Sequence, residues 1–411
     1  MQLLQAEVAD SSLAQAIVGM QADGTCNRCG QRQPVKLPSG ARYCAACLTL
    51  GRVSDETRLV RFAAPPLPPG QYLTWQGTLT PAQEEVSAAL QTSVAAGRDH
   101  LLWAVTGAGK TEMLFATIAT VLDAGGRVGV AAPRVDVVRE LAPRLAAAFA
   151  HTPMAVRYGG APWPGHDVAL TVLTTHQLLR YYQAFDLLII DEVDAFPFVH
   201  NQALAYAVEH AARGAKVWLS ATPPAPLLRL ARRGHMGLSI LPRRFHNAPL
   251  PVPRLAWLRY QQLPERVPPQ LSRRLRAIVA THRCLVFVPE IAWLGPLVTK
   301  LQAELTVPIA GVHASDPDRV AKVSAFRRGE LQLLVTTTIL ERGVTIPKCA
   351  VVVLAADARQ FDAAALIQMA GRAGRDADSV DDPVWFYTHH YTRALQQASR
   401  TIRTLNRQAG F

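Results

Sequence analysis

No run of apolar residues in this chain approaches the ~20 that a membrane-spanning helix needs, so no such span is expected. The first stretch, MQLLQAEVADSSLAQAIVGM, lacks a basic residue ahead of its apolar positions and carries Glu7 and Asp10. It is therefore unlike a secretory leader and points to a cytosolic protein that meets a membrane only through partners. Acidic residues are outnumbered, 31 against 43 basic ones, which leaves a formal charge of +12. The basic residues are nearly all arginine, and guanidinium forks grip phosphate oxygens two at a time, so nucleic acid is a fitting partner. Short repeats and low-complexity tails are also missing. With 18% charged and 49% hydrophobic residues, a mostly disordered chain is excluded, and 411 residues allow two or three well-covered domains.

What is present divides into blocks. Residues 1–70 form an amino-terminal segment holding four of the six cysteines, with a module core at about 24–52, and end in the proline cluster AAPPLPPGQ. Residues 71–245 alternate apolar runs with helix-like segments, the runs being LLWAV, RVGVAA, VALTVLTT, FDLLIIDE and AKVWLSAT. A passage rich in proline and arginine, 246–270, reads as a linker. Alternation resumes over 271–411 with CLVFV, VPIAGVH, LQLLVTTT, AVVVLAAD and PVWFYT. This pattern predicts an α/β chain with two parallel sheets.

Directly after LLWAV stands TGAGKTEM, from Thr106 to Met113. A loop of this kind between strand and helix presents backbone N–H groups of Thr106, Gly107, Ala108 and Gly109 to phosphate oxygens. Lys110 reaches the β and γ phosphates, and the Thr111 hydroxyl is a Mg²⁺ ligand. The first glycine of the usual pattern is replaced by Ala104. Glu112, and Gly343 farther on, complete the expected nucleotide contacts. The stretch FDLLIIDEVDAFPF then gains a reading. An unalternating aliphatic run ending in Asp191, Glu192 and Asp194 is either a core strand with a solvated turn or a buried strand delivering carboxylates to a ligand crevice. With a phosphate loop nearby, Asp191 is read as a holder of Mg²⁺ and Glu192 as the base that orients the attacking water.

Taken in order, TGAGKT, DEVD, LSATPP, LLVTTTILERGVTIP and IQMAGRAGR resemble the motifs of superfamily 2 helicases and translocases, from Leu73 to the end. The resemblance implies two RecA-like domains, with Arg375 and Arg372 as arginine fingers on the γ-phosphate. If QMAGRAGR is helical, Gln368, Arg372 and Arg375 share one face. Gln368 is expected to pair with Asp194, and Ser220 and Thr222 to couple hydrolysis to movement. In LTPAQ, Gln83 is the implied adenine contact, although a capped helix start at Thr80 and Pro81 accounts for the same residues. Strand-end loops supply the DNA contacts: Pro133 and Arg134, Thr174, Thr175 and His176, and Thr337 and Thr338. Hydroxyls and amides at such positions bind phosphate without reading sequence.

CNRC (Cys26, Cys29) and CAAC (Cys44, Cys47) have the spacing of a zinc ribbon, with a redox pair as the lesser alternative. Cys284 and Cys349 lie in apolar strands and read as inert core thiols. A four-cysteine module ahead of one such motor, together with DEVDAFPF and the tail WFYTHHYTRALQQASRTIRTLN, resembles the ComFA family, late-competence ATPases of Gram-positive bacteria. That resemblance implies an ATP-driven translocase on single-stranded DNA at the cytoplasmic face, using ATP, Mg²⁺ and Zn²⁺. Its implied partners are ComFC and the ComEC channel, and the oligomeric state is left open. The PriA-like restart helicases also join zinc cysteines to this motor, but with the cysteines inside the motor's second half. A nucleotide-gated adaptor that moves no DNA is the alternative of another class, and the presence of Glu192 and Arg375 speaks against it.

Overall fold

The computed structural model of the chain describes residues 2–4, 14–62, 66–161, 168–259, 263–341, 346–375 and 379–411. They fall into two units, Met1–Trp103 with Lys110–Ile240, and Ala104–Gly109 with Leu241–Phe411. The first unit opens with Gln2–Leu4 (β1) and Ala14–Val18 (β2), then a hairpin of Pro34–Lys36 (β3) and Arg42–Cys44 (β4). Arg58–Phe62 (β5) follows and pairs antiparallel with both β1 and β2. These strands were not anticipated, because three to five residues without a long apolar run carry little pattern.

Pro81–Ala95 (α1) begins at a capping box in which Thr80 and Gln83 satisfy each other's backbone N–H, with Pro81 fixing the first turn. His100–Ala104 (β6), Lys110–Met113 (α2), Phe115–Asp123 (α3), Val128–Ala132 (β7) and Val135–Ala148 (α4) follow. Met154–Arg157 (β8), Leu170–Thr174 (β9), Phe185–Ile190 (β10), Gln202–Ala211 (α5), Ala212–Ser220 (β11), Ala225–Arg232 (α6) and Gly237–Leu241 (β12) complete the first block. The sheet order is β12-β6-β11-β10-β7-β9-β8, and the pairs from β6 to β8 are parallel. The run Leu187–Ile190 is wholly buried, as an unalternating aliphatic strand between two neighbours must be. Each such side chain contributes about 1.5–3 kcal/mol by leaving water.

Arg254–Trp257 (β13), Pro269–Val279 (α7), Arg283–Phe287 (β14), Leu294–Glu304 (α8), Ile309–Val312 (β15) and Arg319–Arg328 (α9) begin the second block. Leu333–Thr336 (β16), Cys349–Val353 (β17), Ala363–Ala370 (α10), Val384–Thr388 (β18) and Arg393–Gln408 (α11) end it. Its strands run β13-β18-β17-β14-β16-β15, all parallel. Every strand expected from the apolar runs is present. The additional strands β8, β12 and β13 lie at sheet edges, where half-exposed side chains leave no continuous run to read. β13 falls inside the stretch read as a linker. Cys284 and Cys349 are fully buried, and burial raises both thiols, Cys349 to about 12, which keeps them protonated and unreactive.

Candidate nucleotide site and cysteine cluster

Because β6, β11 and β10 are adjacent and parallel, the segments TGAGKT, SATPP and DEVD leave the same edge of the sheet. Ligands in open parallel sheets sit beyond that edge. In the phosphate loop, Gly107 and Gly109 adopt φ of +81° and +76°, a left-handed turn that side chains resist, and Ala108 N donates to Val105 O at 3.2 Å. Thr106 and Thr111 are buried and Lys110 is half-buried at the start of α2. Glu112 is drawn sideways into an ion pair with Arg144 at 2.5 Å.

Asp191 is 8% exposed, and its N–H extends the ladder by donating to Ala131 O at 2.8 Å. Its Oδ1 accepts from Glu192 N at 2.9 Å. Glu192 has a φ of +52°, a left-handed conformation uncommon for a residue with a side chain and concentrated at functional turns. The Asp194 carboxylate accepts from Ser220 Oγ at 2.6 Å and from the Thr222 hydroxyl, while Ser220 Oγ accepts from Thr222 N at 2.8 Å. Asp194, Ser220 and Thr222 are thus one hydrogen-bonded group joining the ends of β10 and β11. The Gln83 side-chain oxygen accepts from Thr80 N at 2.9 Å within the capping box.

In the second unit, α10 stops at Ala370, so the one-face helical arrangement of Gln368, Arg372 and Arg375 is corrected. Gln368 is buried in α10, whereas the two arginines stand in the following loop, Arg372 buried and Arg375 half-buried. Past the helix the chain tightens, Arg372 N donating to Met369 O and Ala373 N to Ala370 O, before Gly374 turns to a φ of +63°. Arg375 Nε donates to Gly371 O at 2.9 Å. Gly343 lies outside the described residues.

The expected DNA contacts are mixed. Thr174, at the end of β9 between β7 and β8, and Thr175, the residue after it, are buried, and Pro133 is buried as well. Arg134, His176, Thr337 and Thr338 are half-buried at the strand ends. Burial lowers the pKa of His176, so this ring is neutral at pH 7.

The four cysteines Cys26, Cys29, Cys44 and Cys47 are buried, with their sulphurs all within 4.8 Å of one another. Cys26 and Cys47 are 3.7 Å apart, and Cys29 and Cys44 3.6 Å. Bonds of ~2.3 Å to a tetrahedral zinc set sulphurs about 3.8 Å apart, whereas a disulfide needs ~2.05 Å. The spacing of the four sulphurs therefore fits a zinc ion. Arg28, a residue passed over in CNRC, ties the two knuckles by donating to Cys47 O at 2.8 Å, Leu50 O at 2.9 Å and Gly51 O at 2.5 Å. The cysteines share one apolar core with Phe185, Leu188, Leu204, Val208 and Trp218. Arg244 and Asp382 were also passed over. They brace the Gly371–Arg375 loop through backbone groups, which leave no pattern in a sequence.

The described fold and these two groups of residues define a superfamily 2 helicase-like ATPase. The DEAD/DEAH box helicase family matches residues 80–230, and the helicase conserved C-terminal domain family matches residues 270–377. The chain is 40% identical over 398 residues to competence protein ComFA of Bacillus subtilis, covering 93% of this chain and 86% of that protein. It is likewise 40% identical over 400 residues to competence protein ComFA of Streptococcus pneumoniae, covering 94% and 91%. The chain belongs to the ComFA family, which decides between the two zinc-bearing families that the cysteines suggested. Among solved structures, Mycobacterium smegmatis helicase Lhr bound to ssDNA and AMP-PNP has the same fold, with a TM-score of 0.58 and 20% identity over 81% of this chain and 48% of that one. No helix among the described residues is long and apolar enough to cross a membrane.

Proposed function

We infer that the chain is an ATP-driven motor that tracks single-stranded DNA during DNA uptake in natural transformation. The observation that carries this reading is the common sheet edge from which TGAGKT, DEVD and SATPP emerge, with Asp194, Ser220 and Thr222 bonded across it. In this reading the phosphate loop and Lys110 hold the triphosphate, and Thr111 and Asp191 hold Mg²⁺, which supplies charge neutralisation on the phosphates. Glu192 orients and deprotonates the attacking water. Arg372 and Arg375 stabilise charge that develops as the terminal phosphoryl group departs. The Asp194 group links the state of the carboxylate loop to that of the β11 loop, the step that turns hydrolysis into movement.

Cys26, Cys29, Cys44 and Cys47 hold Zn²⁺ as a structural cross-link. DNA is gripped through the strand-end loops, with Arg134, His176, Thr337 and Thr338 the more accessible of the proposed contacts and Pro133, Thr174 and Thr175 supporting them. Residues 71–245 and 271–411 are proposed as the two motor domains, joined by 246–270. ComFC and the ComEC channel are the proposed partners, which would bring the protein to the inner face of the cytoplasmic membrane.

The test is steady-state ATP hydrolysis alone, with single-stranded DNA and with duplex DNA, at two salt concentrations. Stimulation by the single strand that weakens with salt is the expected result. Hydrolysis indifferent to DNA would favour the adaptor.

A further inference from the structure

Residues Leu241–His246 leave β12 as a strap between two functional loops of the second unit. On one side, Leu241 O accepts from Val105 N at 3.1 Å and Phe245 N donates to Gly107 O at 3.0 Å, so the strap borders the phosphate loop. On the other, the Arg244 guanidinium, 1% exposed, donates from Nη1 to Gly374 O and from Nη2 to Ala373 O at 3.0 Å, with Gly371 O at 3.4 Å. His246 Nε2 lies 3.1 Å from the same Gly374 oxygen. A cation that collects carbonyls just past the end of α10 answers both their need for donors and the negative end of the helix. Burial lowers the Arg244 pKa to about 10, which still leaves it charged at neutral pH.

The Ala373–Gly374 peptide, whose carbonyl takes Arg244 Nη2, is held at its N–H too. Asp382, whose side chain is fully buried, accepts from Gly374 N at 3.0 Å and from Cys349 N at 3.0 Å through Oδ2. Its Oδ1 accepts from the Ser379 hydroxyl and faces His282 Nε2 at 3.3 Å. Gly374 has no room for a side chain, since a Cβ there would stand 2.7 Å from Val380 O and 2.9 Å from Arg244 Nη1. Gly371 is pressed against Thr106 so closely that a Cβ would meet Thr106 Oγ1 at 2.2 Å. Arg375 bonds to the Gly371 carbonyl from its own side.

We propose that Arg244 is a positioning residue that sets the Gly371–Arg375 loop against the phosphate loop, so that ATP hydrolysis depends on it while nucleotide binding does not. This rests on the ATPase reading above. A guanidinium can serve several carbonyls at once because its donors form a rigid fork, which a lysine ammonium does not reproduce. Displacing Arg372 and Arg375 by an ångström is enough to lose most of what an arginine finger gives.

The experiment compares wild type with R244Q, R244K, R375A and R375A combined with R244Q, measuring kcat, KM, fluorescent-nucleotide affinity and thermal unfolding. R244Q is expected to lose about 10²-fold in kcat and R244K about tenfold, with KM and nucleotide affinity within about threefold of wild type. R244Q added to R375A should cost clearly less than R244Q alone, because both changes act on the same loop and only Arg372 is left to displace. A purely structural role would lower the unfolding temperature while the folded protein keeps its kcat, and that result overturns the proposal. So does full additivity of the two substitutions. If R244Q does not fold, R244K carries the same comparison. A wild type without turnover overturns the ATPase reading and this inference with it, whereas an active wild type beside an equally active R244Q overturns this inference alone.

Discussion

Replacing Gly30 by alanine tests whether the cysteine module is built into the motor or merely attached to it. Gly30 closes the first knuckle at a φ of +69°, its N–H donating to Cys26 O at 2.8 Å. An added Cβ would stand 2.3 Å from Tyr206 Cδ2 and 2.6 Å from Cε2, on the face of a ring carried by α5. That ring cannot swing aside freely, since it is stacked on His210 with centroids 3.6 Å apart. A left-handed conformation costs a non-glycine residue ~1–2 kcal/mol, and overpacking typically costs a further ~1–3 kcal/mol. Together they predict a loss of about 2–5 kcal/mol. Because the cysteines share a core with Leu204 and Val208 of α5, that loss should fall on the whole first unit. At about 2–4 °C per kcal/mol for a body of this size, the main thermal transition should drop by roughly 4–20 °C. Unfolding is followed by circular dichroism with metal content measured in parallel. Tyr206→Ala removes the clash but not the backbone cost, so Gly30→Ala combined with Tyr206→Ala should lose less than the sum of the two singles. A main transition unmoved by Gly30→Ala would refute the reasoning and make the module an independent appendage.

Lys110→Ala should abolish ATP turnover, and Glu192→Gln should bind nucleotide as wild type does while losing hydrolysis by at least ~10²-fold; full turnover in either would remove these residues from the site. One zinc per chain is expected by atomic absorption, lost when Cys44 and Cys47 become serine, and unchanged metal content in that variant would defeat the assignment of the cluster. Acid should weaken the first unit through His100, which is buried between Ser93 Oγ at 2.8 Å and Ser239 Oγ at 3.0 Å. Burial, aided by the Arg98 charge, lowers its pKa to about 4, while the unfolded chain titrates near ~6.5. The stabilisation is therefore complete above that unfolded value and is lost as pH falls toward 4, at up to ~1.4 kcal/mol per pH unit. Urea unfolding across this range should show the slope in wild type and a flatter one in His100→Gln; equal slopes would clear His100 of the effect.

Interior strands such as β10 were legible in the sequence because burial on both sides demands an unbroken apolar run, here Leu187–Ile190, and the phosphate loop because its turn needs glycine where Gly107 and Gly109 stand. What escaped reading depended on a distant backbone group. Hydroxyl chemistry does not say which way a side chain faces, and Thr174 at the end of β9 and Thr175 just after it are both buried. The loop after α10 is held at Gly374 by Arg244 on its carbonyl and Asp382 on its N–H, the first more than a hundred residues earlier in the chain. The same blindness affects the argument from charge. Arg28 donates to three carbonyls of the second knuckle, Arg244 to those after α10, and Arg283 to Phe326, Arg327 and Pro347. These guanidiniums stitch backbone together and have their donors engaged by carbonyls. A surplus of +12 therefore overstates the charge offered to DNA, and the salt dependence of any single-strand stimulation should report fewer phosphate contacts than the arginine count suggests.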